Sequence, residues 1–268
     1  MTEQNIQKPG FQPRTLGKTG LTVGGLGIAG GFGAPVEAVE MAFERGCNYF
    51  YHGTIRRKGM TQAIKNLCKK GKREELVIVA QIYTRWGWQF KRSFYGFLKT
   101  SGLDYIDVLL LGWYNHEPGR RILSLCAELG EKKLFRYLAV SGHTRTLFPE
   151  LAKIPTYDLF HIRYNAVHTG AEKDLFPRLP KENRPGIVIY TATSWGQLFN
   201  PKKTPPGQRT PGASDCYRFV LSNKDVDVCI AGPGNMEQMK EALATLDRGP
   251  MTEEETDWMR RVGSYIKR

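Results

Sequence analysis

The chain has 268 residues, 41% hydrophobic and 24% charged, an ordinary balance for a globular protein and enough length for one large domain or two small ones. No apolar run is long enough to span a bilayer, and the N-terminal MTEQNIQKPGFQPRT lacks the apolar core of a secretion signal, so a cytoplasmic protein with no membrane partner is expected. The formal charge of +13 favours an anionic partner, but the basic residues are scattered and mixed with acids, as in KKGKREE, and no nucleic-acid motif is present.

The chain alternates short apolar runs with amphipathic stretches. LTVGGLGIAG reads as a first strand entering a glycine-rich turn, and PVEAVEMAFERG as its helix, with Pro35 near the start and Gly46 past the end. CNYFY and the helical TQAIKNLCKKG follow. EELVIVAQIY with QFKRSFYGFLKTSG, DYIDVLLLGWYN with RRILSLCAELGEKKL, and FRYLAVSGH with TLFPELAKI make three further strand–helix pairs. YDLFHIRYN, RPGIVIYTA and VDVCIAGPG are the last strands, the final one backed by MEQMKEALATLDRG.

Helices between consecutive strands imply parallel crossovers, and strands buried on both faces read as unbroken apolar runs. Eight such units predict an α/β protein, a single (β/α)8 TIM barrel occupying residues 1–268, with residues 1–14 a flexible N-terminal segment. An open dinucleotide-binding sheet is disfavoured because GGLGIAGGFG lacks the G-x-G-x-x-G order. The proline-rich NPKKTPPGQRTPGASD (200–215) reads as a loop after the seventh strand. The five cysteines form no CxxC pair, which argues for reduced thiols.

In such a barrel reactive groups sit at the C-terminal strand ends. All five histidines (His52, His116, His143, His161, His168) fall there, as do Tyr51, Gln81, Tyr83, Trp113, Tyr114 and Trp195. A metal site is not expected: no HxH or HExxH spacing occurs, and Asp104 and Asp107 lie at the start of a strand, on the wrong face. Trp86, Trp88, Trp113, Tyr114 and Trp195 can wall an apolar pocket or simply pack between helices and loops.

GCNYFYHG, GLDYIDVLLLGW, AVSGH, IRYN, GIVIYTATSWGQL and CIAGPGNMEQMKEAL, taken in this order, resemble the motifs of the aldo-keto reductase family over nearly the whole chain. The resemblance implies a barrel oxidoreductase that uses NADP(H) and an Asp, Tyr, Lys and His tetrad. In this sequence the Asp position holds Tyr51, the Tyr position falls near Arg56, the Lys position holds Gln81 and the His position Gly112. No lysine–carboxylate pair remains to tune a phenol as proton donor. Of the cofactor positions, Ser141, the stacking Tyr190, Gly232 and Glu241 match, and the strand glutamine is His161. The arginine that would grip the 2′-phosphate aligns with Gly234. Losing such charge-assisted bonds costs about 1.5–3 kcal/mol each, weakening any grip on NADP(H).

Tyr51, His52 and Arg56 are the candidate catalytic residues, with Arg56 and its basic neighbours poised to bind an anionic substrate. The alternative is that Tyr51 fills space left by the lost tetrad. Successive strand residues face opposite ways, so Tyr51 and His52 cannot both enter the barrel if the strand continues through them. Ser141, His161, Tyr190, Gly232 and Glu241 are the candidate cofactor contacts, and Gln81, Trp113, Tyr114 and Trp195 the candidate substrate pocket. Two readings stay open: altered small-molecule chemistry at the mouth, slightly favoured, or a non-catalytic protein that binds a ligand or a protein partner.

Overall fold

A computed structural model of the chain describes residues 10–267. Eight parallel strands close into a barrel: β3 (Leu26–Ala29), β4 (Tyr49–Tyr51), β5 (Val77–Ile82), β6 (Ile106–Leu111), β7 (Phe135–Ser141), β8 (Leu159–Arg163), β9 (Gly186–Tyr190) and β10 (Val228–Ala231), with β10 pairing back onto β3. The (β/α)8 expectation is met, and each strand falls inside the apolar run that predicts it. A small antiparallel hairpin, β1 (Arg14–Thr15) and β2 (Thr22–Val23), plugs the N-terminal end with Leu16 and Val23. Gly17 makes that closure possible: its φ is +47°, and a Cβ there would lie 2.3 Å from the backbone nitrogen of Gly186.

Of the 1–14 segment, residues 1–9 lie outside the described residues. The remainder is tied down, since Phe11 N–H bonds Leu246 O and the Arg14 guanidinium donates to the carbonyls of Val226 and Leu221.

The period-two alternation of each strand sorts the core into two shells. Inside the barrel lie Tyr49, Val77, Val79, Val108, Leu110, Ala139, Leu159, Val188, Val228 and Ile230. Outside it, Phe50, Ile78, Leu109, Leu111, Phe160 and Ile187 meet the helices. The long helices are α1 (Val36–Glu44), α2 (Lys58–Lys69), α3 (Gly87–Ser101), α4 (Arg120–Glu131), α7 (Ala213–Leu221), α8 (Met236–Arg248) and α9 (Glu253–Lys267). After β7 and β8 the crossovers keep only single turns, α5 (Phe148–Leu151) and α6 (Ala171–Asp174). The 200–215 loop contains a 3-10 turn at Pro201–Lys203 and already enters α7 at Ala213. All five cysteines are free thiols. Among the described residues no helix is long and apolar enough to cross a membrane, and no group of His, Cys, Asp or Glu stands close enough to hold a metal ion.

Candidate functional site

A cavity of about 740 Å³ opens at the C-terminal ends of the strands. Leu110, Ile230 and Ala29 line its strand-borne surface together with Tyr51, Gln81, Ser141, His161 and Tyr190, all supplied by inward-facing positions. Tyr83, Trp113, Trp195, Phe199, Phe32 and Tyr217 wall it from the loops and α7. Tyr51, Gln81, Ser141, His161, Tyr190, Trp113, Trp195, Gly232 and Glu241 are thus brought to one site, as the sequence suggests. His52, Arg56 and Tyr114 are not.

His52 is a correction. Being next to Tyr51 on the chain it faces outward, fully buried between Thr61 Oγ1 of α2 (2.8 Å from Nε2) and the ring edge of Phe97 on α3. Burial and the nearby Arg57 hold its pKa down to about 4, so it is a neutral packing residue. Arg56 stands exposed on the turn before α2 with φ +46° and lines no part of the cavity. Tyr114 also turns away: its ring is buried in the shell outside the barrel, with the Arg85 guanidinium 3.5 Å from its centroid. Trp86 is exposed outside the cavity, and Trp88 lines a separate groove beside it.

The polar side chains at the centre form a directed relay. Tyr51 O–H donates to Gln81 Oε1 in a short bond, so Tyr83 O–H, 3.3 Å away, is the donor to the Tyr51 oxygen. Gln81 Nε2 donates to Ser141 Oγ at 3.3 Å, and Trp113 N–H donates to the same oxygen at 3.2 Å. Ser141 therefore accepts twice, and its own hydroxyl hydrogen remains to be offered. Gly112 is the empty rung in this layer. A Cβ there would come within 2.4 Å of Gln81 Nε2 and 2.7 Å of the Tyr83 ring, so these two side chains occupy the room a larger residue would need.

Burial keeps Tyr51, His161 and Tyr190 uncharged near neutrality. Burial raises the Tyr51 phenol far above its ordinary value, and the neighbouring Tyr83 adds to the rise. His161 is buried, bonded through Nε2 to Tyr49 OH at 2.8 Å, and desolvation lowers its pKa to about 3. Its Nδ1 is unclaimed among the described residues. Tyr190 OH donates to Gly142 O at 3.3 Å, and burial lifts its pKa to about 12.

Two asparagines build the rim. Asn115 Oδ1 accepts the N–H groups of His143 and Thr144, and Asn165 Oδ1 accepts those of Val167 and His168 while its amide donates to Thr191 O. Trp113, Thr191, Ser194 and Trp195 all have positive φ, between 51° and 61°, a conformation that non-glycine residues hold only under constraint from neighbours. For Trp113 the constraint is visible: its N–H is bound to Ser141 Oγ and its carbonyl to Arg85 Nη2 at 2.7 Å.

At the far edge of the cavity, Glu241 accepts Ala213 N–H at 2.7 Å, so it caps α7. The Gly234 N–H at the head of α8 is bound to Gln238 Oε1 at 2.7 Å. A Cβ on Gly232 would sit 2.4 Å from the Phe32 ring, which lies across this strand end. Among the described residues no lysine or arginine lines the cavity. Sequence reasoning missed Phe32, Phe199 and Tyr217. Tyr83, which the sequence places at a strand end with the same parity as Gln81, also lines the cavity, whereas nothing local marks Phe32.

Two solved structures of the aldo-keto reductase AKR11C1 from Bacillus halodurans, one in a holo form and one in an apo form, superpose on this chain with a TM-score of 0.74 each. Each covers 94% of this chain and 96% of its own at 18% identity. The fold is that of an aldo-keto reductase barrel. At this identity the likeness is one of fold alone. No family model matches the chain, and no curated protein matches it in sequence.

Proposed function

We propose that the barrel mouth binds a flat, largely apolar small molecule and carries altered small-molecule chemistry in place of the NADPH-dependent carbonyl reduction implied by the aldo-keto reductase resemblance. The reading rests on one observation above the rest: the uncharged relay Tyr83–Tyr51–Gln81–Ser141, which ends in a hydroxyl free to donate beside Tyr190. A ligand carbonyl or ring nitrogen against Tyr190 would accept from Ser141, and Gln81 would hold that serine's orientation. His161, neutral, would offer Nδ1 on the same side.

A nicotinamide cofactor, where one binds, supplies hydride. Tyr190 and Ser141 suit its ring and carboxamide, but the far end of the site does not suit NADP(H). The head of α8 has its Gly234 N–H bound to Gln238 and Glu237 in its first turn, and among the described residues no cation lines the site. An anionic 2′-phosphate would be left without a charge-assisted partner.

A second reading, a non-catalytic ligand-binding protein, is favoured by the raised Tyr51 pKa, since a buried phenol with no ammonium beside it is a poor proton donor. Incubation with NADPH and simple aldehydes, alongside fluorescence titration of Trp113 and Trp195 with aromatic carbonyl compounds, tests both. Quenching without aldehyde turnover is expected. Aldehyde reduction at a rate ordinary for enzymes, on the order of 10 per second, overturns the proposal. A Tyr51→Phe protein that keeps its ligand yet loses turnover of some other substrate selects the catalytic reading over the second.

A further inference from the structure

Beside the mouth lies a second cavity of about 670 Å³, a groove running over the C-terminal end of β5 between the β4–α2 turn and α3. Gln81 and Tyr83 line both spaces, so these two side chains are the wall between them. The groove differs from the mouth in charge. Arg57, half-buried, and Arg92, exposed on α3, both line it, and among the described residues no aspartate or glutamate does. Among the described residues neither arginine has a carboxylate partner: Arg57 donates only to Gly53 O at 3.3 Å, while Arg92 makes no hydrogen bond or ion pair. The Arg57 charge is felt locally, since it helps keep the adjacent His52 neutral. Trp88, 61% exposed, stands over the same groove.

We propose that this groove is the anion-binding lobe of the ligand site. The mouth takes the flat part of a small molecule, and a carboxylate or phosphate on that molecule crosses the Gln81–Tyr83 wall to lie between Arg57 and Arg92 with Trp88 alongside. The inference rests on the mouth being a ligand site and adds the class of ligand: an aromatic or similarly flat acid. Two unpaired guanidinium groups facing one acid-free cavity are what recognition of such a group requires. The pairing would also give the strongly basic chain a definite anionic ligand.

The test uses the full chain labelled with 5-fluorotryptophan, whose five tryptophans give separate fluorine signals assigned by Trp→Phe substitution. Pyrophosphate is the probe for the groove and benzaldehyde the probe for the mouth. Pyrophosphate is expected to shift the Trp88 signal saturably while leaving Trp113 and Trp195 in place, and R57Q and R92Q are each expected to weaken that response about tenfold with the melting temperature unchanged. No Trp88 response at tens of millimolar pyrophosphate, or an equal response in the R57Q/R92Q double variant, overturns the anion lobe. Failure of the mouth reading shows separately, as no response of Trp113 and Trp195 to benzaldehyde.

Discussion

At the bottom of the barrel carboxylates are buried beside cations, while among the strand residues that line the mouth there is neither. Asp107 on β6 accepts Ile78 N–H of β5 at 2.9 Å and is paired with Arg73 and Arg136. Asp158, just before β8, accepts Leu138 N–H of β7, and Asp227, just before β10, accepts Ile187 N–H of β9 while Arg184 holds both its oxygens. Asn48, before β4, does the same for Gly24 N–H. Alternate strands thus carry, at or just before their start, a polar group that takes an N–H of the preceding strand or, for Asn48, of the residues leading into it, which ties neighbouring strands together where the sheet begins. The contrast separates two uses of polarity in one fold. Charge at the closed end serves stability, the usual role of that face of such a barrel, and neutral donors at the open end are left for a ligand.

The sharpest way to break that contrast is at the bottom. Asp107→Ala removes an acceptor with no solvent exposure and leaves Arg73 and Ile78 N–H without it. Stability to urea should fall by about 3–5 kcal/mol, while the fluorescence response to mouth ligands in the surviving folded fraction stays the same. Asp107→Asn, which keeps an acceptor for Ile78 N–H, should lose clearly less. A loss below about 1 kcal/mol for the alanine variant would mean that the buried pair is not a register lock.

At the mouth, His161 gives the next effect. Its pKa in the folded chain is about 3, below the ordinary 6.5, because burial penalises the imidazolium. A depressed folded value means that the contribution to stability is fully present above pH 6.5 and is lost as pH falls from there toward 3. For one such histidine the loss is about 2 kcal/mol between pH 7 and pH 5. His161→Gln should flatten the fall in the urea midpoint over that interval by this amount, with His52, whose pKa of about 4 lies in the same direction, accounting for a similar share of what remains. An unchanged pH profile in the variant would show that His161 is not neutralised by burial.

How far the sequence carries this picture depends on the element. The strands were legible because a parallel barrel buries both faces of each, so IDVLLL and GIVIY stand out from the amphipathic helices. The inward residues Gln81, Ser141, His161 and Tyr190 followed from strand position and the family motifs. The same alternation that puts Tyr51 inside puts His52 outside, and the structure resolves which. Tyr114 was illegible for a physical reason: Trp113 before it takes a left-handed φ of 58°, so strand parity no longer predicts where the next side chain points. Helix α7 was hidden behind the prolines of the 200–215 loop, and α6 is too brief to show a helical period, whereas α5 falls inside the TLFPELAKI that follows the fifth strand. Phe32 reaches Gly232 only through closure of the barrel between β10 and β3, a contact with no local signature.

The smallest effect bears most directly on the relay. Tyr51→Phe deletes the donor to Gln81 Oε1 and the acceptor for Tyr83, and Tyr83→Phe deletes only the last donor in the line. Each should change stability by about 1 kcal/mol or less, because a neutral hydrogen bond at a half-buried site nets little. Their coupling is the informative quantity. If the hydroxyls act in one direction through Gln81 to Ser141, then Tyr83→Phe weakens ligand binding in the wild-type background but has no further effect once Tyr51 is Phe, and Ser141→Ala abolishes the influence of both. Additive effects of the two phenylalanine substitutions on binding would mean that the phenols touch the ligand separately. The mouth would then resemble an ordinary polar pocket, and its difference from the bottom of the barrel would reduce to the absence of charge.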